Sequence, residues 1–151
     1  MNIPKLIEKF IQKEIEFESY LLPNFYPKVE VFLDFQAGYK EHGNTAETIT
    51  GEKKGDFKES WFVICSGYAR DPFFIDYSEA EKNFPVYFAW KGAGSWTPIK
   101  VADSILEFTD QLLQLQKWQS DSASIQTKIK QYFDIKNEFW SEVYMEYRND
   151  D

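Results

Sequence analysis

The sequence predicts an α+β fold in which a central, mainly antiparallel sheet is flanked by N-terminal and C-terminal helices. Short apolar or alternating segments, separated by turn residues, fill the middle of the chain from Trp61 to Trp90. Helical periodicity appears at both ends, and this segregation of strands from helices favours α+β over repeated βαβ units. A length of 151 residues suffices for one domain with a hydrophobic core, so we predict a single domain over residues 1–151.

The N-terminal third of the chain contains a predicted helix, a predicted strand and a predicted loop. Apolar side chains recur on one helical face over residues 3–22, and Pro23 is expected to end that helix. Alternation of apolar and polar residues from Val29 to Phe35 predicts a first strand. The polar segment from Gly38 to Glu59 predicts a loop or a loose hairpin, because apolar patterning resumes directly after it.

Three further strands are predicted in the centre of the chain. The segment Trp61–Ser66 is nearly all apolar, as is typical of a strand that is covered on both faces. The segments Phe73–Asp76 and Val86–Trp90 predict two more strands. Turns are expected at Gly67–Pro72 and at Lys91–Ser95.

Two helices are predicted in the C-terminal part of the chain. Ser104 and Glu107 have the spacing of a capping box, which predicts a helix that begins at Ser104. The segment Gln119–Ala123 interrupts the apolar pattern. The periodicity from Ser124 to Tyr147 then predicts one long last helix.

Composition and charge restrict the classes of function. The formal net charge is −8, which argues against a nucleic-acid partner, since phosphate binding requires a basic surface. The charge is explained by solubility alone or by a basic protein partner. Aromatic residues make up 19% of the chain, as expected for a core of large side chains or for a binding surface. The single cysteine, Cys65, cannot form an internal disulfide. No window is long and apolar enough for a bilayer span or a signal peptide, so we expect a cytoplasmic protein without membrane contact.

The negative charge is concentrated in two segments, residues 71–110 and residues 134–151, each with a net charge of −4. Within the predicted last helix, four acidic residues are spaced by four and would form one stripe, in which like charges repel each other. These residues are Asp134, Glu138, Glu142 and Glu146. The stripe is interpreted either as a solvated helix face or as a docking surface for a basic partner.

Residues that could support catalysis are few. Asp71 and Asp76 flank a predicted strand, and carboxylates beside indole rings can form a glycosidase site, but an Asp-Pro turn and a strand end explain the two residues better. The tryptophans close to them in sequence are Trp61, Trp90 and Trp96. The only histidine, His42, lies in the polar loop, where nothing suggests a catalytic triad or a zinc site. We therefore expect no enzyme, metal or cofactor.

The segment from Trp61 to Phe108 resembles proteins of the SUKH superfamily, which includes the yeast cell-wall assembly regulator. The family pattern has a Trp-led strand, a glycine, a Gly-Asp-Pro-like turn, a strand ending in Asp, a Pro-Val-Tyr strand, a His-Gly turn, a tryptophan and a helix that opens with Ser-Phe. The matching residues are Trp61, Gly67, Asp71-Pro72, Phe74-Ile75-Asp76, Pro85-Val86-Tyr87, Gly92, Trp96 and Ala102 through Phe108. The sequence differs from the pattern at Arg70, Lys91 and Ile105, where glycine, histidine and phenylalanine are usual.

This resemblance implies an α+β fold and a non-enzymatic role, in which the protein binds and neutralises a cognate toxin domain from a polymorphic or contact-dependent system. Such toxins are often nucleases, and a nuclease carries a basic substrate cleft that an acidic surface would complement. A regulatory interaction module of the same fold, with an endogenous partner, is the alternative. The candidate partner-binding residues are Asp71, Asp76, Lys91, Trp96, Asp134, Glu138, Glu142 and Glu146.

Overall fold

A four-stranded antiparallel sheet occupies the centre of the structure, a computed structural model that describes residues 2–45, 47–120 and 124–147. The strands lie side by side in chain order, so each neighbouring pair is joined by a short connection. They are β1 (Trp61–Ser66), β2 (Pro72–Asp76), β3 (Val86–Phe88) and β4 (Ile99–Ala102). The first three confirm predicted strands, although β3 ends two residues early. Strand β4 was not predicted, because four residues with an exposed lysine among them give too short a pattern.

Helices from both ends of the chain complete the fold, which confirms the predicted α+β class. They are α1 (Lys5–Lys13), α2 (Ile105–Gln119), α3 (Ile125–Tyr132) and α4 (Glu138–Tyr147). Each helix contributes side chains to the same main core as the sheet. Within the described part of the chain, no helix has the length and apolar character needed to cross a bilayer.

The two faces of the sheet have different surroundings. Side chains alternate along a strand, so Phe73 and Ile75 of β2 point into the main core with the helices, whereas Phe74 between them points the other way. Phe74 belongs to a second, smaller cluster together with Tyr87 of β3. Among the described residues, no α-helix contributes to this second cluster, which is covered by loop residues and by Phe35 of a short 3₁₀ helix, Asp34–Gln36. We call this side of the sheet the helix-free face.

The predicted N-terminal helix is shorter than expected. Helix α1 ends at Lys13, because Glu14 adopts the left-handed conformation with φ 44° and its N–H bonds the Ile11 carbonyl at 3.2 Å. Ile15 and Phe17 are nevertheless 3% exposed each. The apolar pattern beyond Lys13 therefore reflected burial of an irregular segment, and the prediction of a helix there was wrong.

The predicted strand from Val29 to Phe35 is also wrong. This segment forms two short 3₁₀ helices, Val29–Val31 and Asp34–Gln36. The alternation placed Val31 and Leu33 on one face and Phe32 on the other. In the structure Val31 and Leu33 are 46% and 48% exposed, whereas Phe32 is 2% exposed and buried. The segment does alternate, but none of the strands in the described part of the chain pairs with it.

The prediction that Ser104 caps a helix is confirmed, whereas the prediction of one continuous last helix is wrong. Ser104 Oγ accepts a hydrogen bond from the Glu107 N–H at 3.1 Å. The last helix is interrupted at Phe133, whose φ of −105° and ψ of 153° are extended. Asp134 and Asn137 then bond local backbone N–H groups through their side chains, which competes with a continuous helix. Of the predicted interruption at Gln119–Ala123, residues 121–123 lie outside the described residues.

Candidate functional site

Three aromatic rings form a row across the helix-free face, one from each of three adjacent strands. Trp61 of β1 stacks on Phe74 of β2 with 4.8 Å between ring centroids and 30° between planes. Phe74 stacks in turn on Tyr87 of β3 at 5.9 Å and 28°. The strand register produces the row, since Phe74 and Tyr87 are direct cross-strand partners. Trp61 and Tyr87 are only partly buried, whereas Phe74 is fully buried and forms the base of the row.

Two carboxylates lie beside this row. Asp76 is the cross-strand partner of Trp61, so both side chains leave the sheet on the same face. Its Oδ1 accepts from the Ser78 N–H at 2.9 Å and from the Ser78 hydroxyl at 2.7 Å, which caps the 3₁₀ helix Tyr77–Lys82. Glu79 in that helix accepts a hydrogen bond from the Tyr87 hydroxyl at 2.8 Å. Burial and the nearby Glu79 carboxylate raise the pKa of Tyr87, so this hydroxyl stays protonated and donates.

The rings and carboxylates enclose a cavity of about 240 Å³, which we call the aromatic-acidic pocket. A water molecule occupies roughly 30 Å³ in the liquid, so a whole side chain of a partner can enter a cavity of this size. Its lining residues are Trp61, Phe74, Asp76, Glu79, Tyr87 and Pro98. The pocket thus combines exposed aromatic surface with acceptor oxygens at a solvent-accessible position.

A second hollow lies on the same face, beyond Phe57. The Phe57 ring packs edge-on against Trp61 at 5.1 Å and against Trp96 at 5.4 Å, so it separates the two hollows. The second hollow has a volume of about 300 Å³ and is lined by residues that include Tyr39, Lys91 and Trp96. The predicted site residues Lys91 and Trp96 therefore lie together, next to the pocket that contains Asp76.

Asp71 has a structural role at the other end of strand β2. Its Oδ1 accepts a hydrogen bond from the Lys91 N–H at 2.8 Å and ties the turn after β3 to the turn before β2. Burial raises the pKa of the Asp71 carboxyl, and the hydrogen bond from Lys91 opposes that rise. Asp71 and Asp76 are separated by the length of β2, roughly 17 Å at about 3.3 Å per residue. The structure therefore does not bring this pair together.

The acidic residues of the C-terminal segment are not arranged as the predicted stripe. Asp134 precedes helix α4 and caps a turn through the Lys136 N–H at 3.0 Å. Glu146 accepts hydrogen bonds from Ser19 Oγ and from the Tyr20 N–H, both at 2.7 Å. Glu138 and Glu142 remain exposed on α4. Because α4 packs into the main core, these two residues lie on the opposite side of the sheet from the aromatic-acidic pocket.

The sequence analysis missed the part that Glu79 and Tyr87 play in the pocket. Tyr87 was assigned to a strand, but its face could not be chosen without knowing which side the helices cover. The sequence did contain one signal for Glu79. Asp76 together with Ser78 resembles a helix start, and Glu79 follows Asp76 by three residues, in the first turn of that helix. Among the described residues, no group of three or more histidine, cysteine or acidic side chains is arranged to hold a metal ion.

Comparisons with known proteins add no relative to this description: no family model matches the chain, and no curated protein or solved structure matches it significantly.

Proposed function

We propose that this chain is a cytoplasmic immunity protein of the SUKH type, which binds a cognate toxin domain through its helix-free face and blocks it without catalysis. The observation that supports this most strongly is the aromatic-acidic pocket. Partly exposed tryptophan and tyrosine rings, clustered in a surface depression that a partner would desolvate, are typical of the residues that dominate binding energy at protein interfaces. The carboxylates of Asp76 and Glu79 add the charge that a basic partner requires.

The distribution of charge also favours a basic partner on this face. The segment of residues 71–110, which has a net charge of −4, supplies strands β2, β3 and β4, the 3₁₀ helix Tyr77–Lys82, the start of α2 and five of the six pocket-lining residues. Complementary electrostatic fields accelerate association and exclude partners of the wrong charge. A nuclease toxin with a basic cleft has the complementary charge.

The positions of the carboxylates give little support to a carbohydrate-active hydrolase. Glycosidases place their two carboxyl groups about 5–9.5 Å apart, on either side of the scissile bond. Asp71 and Asp76, the pair that the sequence suggested, lie roughly 17 Å apart along β2 at the strand's rise per residue. Glu79 is already bonded by Tyr87 and lies 3.7 Å from the Lys82 ammonium. A binding role requires no change in the positions or hydrogen bonds of these carboxylates.

The test begins with the gene directly upstream of the gene for this chain. If that gene encodes a large toxin, its C-terminal domain is expressed in cells with and without this protein. The proposal predicts that growth is restored only when the protein is present, and that the two purified proteins form a complex. Full toxicity in the presence of the protein, with no complex, would contradict it. An isolated gene with an endogenous binding partner would support the regulatory module instead.

A further inference from the structure

We infer that the aromatic-acidic pocket takes one arginine side chain from the protein partner, with its guanidinium stacked on the pocket rings and bonded to the carboxylates. This inference rests on the proposed function, because it identifies the chemistry that the pocket recognises. Its evidence is the geometry of the pocket alone.

The aromatic walls suit a flat cation. Trp61 and Tyr87 present partly exposed rings on either side of buried Phe74, and their planes are tilted from the Phe74 plane by 30° and 28°. A cation over the face of such rings is attracted by their quadrupoles, most strongly over tryptophan. The chain already uses this contact elsewhere, since the Arg70 guanidinium lies 4.3 Å from the Phe25 ring centroid.

The carboxylates select a positive charge and keep the capacity to bind it. A carboxylate offers about four lone-pair sites, and the contacts to Ser78 and Tyr87 use only part of those of Asp76 and Glu79. The cation next to Glu79 is Lys82, at 3.7 Å, whose side chain is 71% exposed. The Glu79 side chain is 18% exposed, but the Lys82 ammonium is largely solvated and the pair is long, so an incoming cation can replace this ammonium.

Guanidinium fits these features better than ammonium. It is planar, so it stacks on rings while its edge donates to a carboxylate in a bidentate fork. It is also more weakly hydrated than ammonium, which lowers the cost of entering a pocket with apolar walls. A sugar could stack on the same rings, but it would not require the negative charge of Glu79.

The test is an NMR titration of the full chain with three short probes. The probes are the peptide Gly-Arg-Gly, the same peptide with citrulline in place of arginine, and maltotriose. Citrulline matches arginine in shape and lacks its charge. We expect a saturable shift of the Trp61 indole N–H with the arginine peptide and binding at least about tenfold weaker with citrulline, which corresponds to about 1.4 kcal/mol.

Two variants test whether the Glu79 carboxylate binds the arginine. Glu79→Gln retains the size of the side chain and is expected to weaken arginine binding by about tenfold, whereas Glu81→Gln, on the exposed side of the same 3₁₀ helix, is expected to leave it unchanged. Unchanged amide spectra elsewhere show that each variant is folded. Equal shifts with citrulline, a shift with maltotriose only, no saturable shift, or an unaffected Glu79→Gln variant would overturn the inference.

The outcome of this titration does not depend on whether the proposed function is correct. Arginine binding without protection from the neighbouring toxin would support the pocket chemistry and contradict the immunity role. Protection from the toxin, with no response to the arginine peptide, would support the immunity role and overturn the pocket chemistry.

Discussion

Gln36 pairs with Val63 as a neighbouring strand would. The Val63 N–H donates to Gln36 Oε1 at 2.8 Å, and Gln36 Nε2 donates to the Val63 carbonyl at 3.0 Å. Strand β1 lies at an edge of the sheet, and its register shifts between Val63 and Cys65. A side-chain amide that is 1% exposed therefore satisfies two backbone groups where no strand is present.

Replacing Gln36 is expected to destabilise the whole domain. Gln36→Ala leaves the Val63 N–H and carbonyl buried without these partners, and we expect the free energy of unfolding to fall by about 2–4 kcal/mol. Urea denaturation measures the change. Gln131→Ala, at an exposed position of α3, is the control and should stay within about 0.5 kcal/mol of wild type. Equal stability of the two variants would show that Gln36 is dispensable.

Ser104 is expected to set the start of helix α2. Ser104→Ala removes the acceptor for the Glu107 N–H, and the loss in stability should be about 0.5–2 kcal/mol. Ser104→Asp keeps an acceptor and places a negative charge at the helix N-terminus, so it should remain close to wild type. Denaturation midpoints for both variants provide the measurement. A midpoint for Ser104→Ala that matches wild type would mean that the cap contributes nothing.

Glu146 is expected to contribute to stability, although the sequence marked it as a partner-binding residue. Its carboxylate joins α4 to the segment around Ser19 through two short hydrogen bonds. Glu146→Ala should cost about 1–3 kcal/mol, because hydrogen bonds to charged groups are among the stronger ones. Glu142→Ala, at an exposed position one turn earlier, should change stability by less than about 0.5 kcal/mol. Thermal unfolding of the two variants compares them, and a larger loss for Glu142→Ala would contradict this role.

Cys65 is expected to be unreactive in the folded protein. The side chain is fully buried, and this burial raises the pKa of its thiol well above the ordinary value. Since the thiolate is the reactive species, a disulfide reagent at about pH 8.5, near the pKa of free cysteine, should label Cys65 only after unfolding. An exposed thiol introduced by Ser78→Cys is the positive control. Rapid labelling of native wild type would show that β1 opens readily.

The parts of the fold that the sequence predicted are those fixed by local signals. Strand β1 is a continuous apolar run, and Ser104 has the spacing of a cap, so neither depends on distant residues. The segment from Val29 to Phe35 alternates like a strand, but its conformation depends on whether a partner strand is available. In the structure, Gln36 reaches the edge of β1 instead.

The candidate site was only partly predictable for the same reason. Asp76 was identified from its position at a strand end, but its neighbour Glu79 enters the pocket only because the chain turns back to Tyr87. The acidic spacing in the C-terminal segment assumed one continuous helix. The break at Phe133 removes Asp134 from the helix, and of the three glutamates that remain on α4, Glu146 is bonded to the segment around Ser19.

The kinetics of toxin binding test the central claim most directly. Stopped-flow association with the toxin domain of the neighbouring gene would compare wild type, Glu79→Lys and the double reversal of Glu138 and Glu142 to Lys. Salt screens exposed charges over about 8 Å at physiological ionic strength, so wild-type association should slow markedly as salt rises, with less change in dissociation. The α4 double reversal, on the opposite side of the sheet, should change neither association nor dissociation markedly, whereas Glu79→Lys should slow association, accelerate dissociation and abolish protection. Salt-independent association, with Glu79→Lys binding and protecting like wild type, would contradict the claim that this face captures a basic toxin.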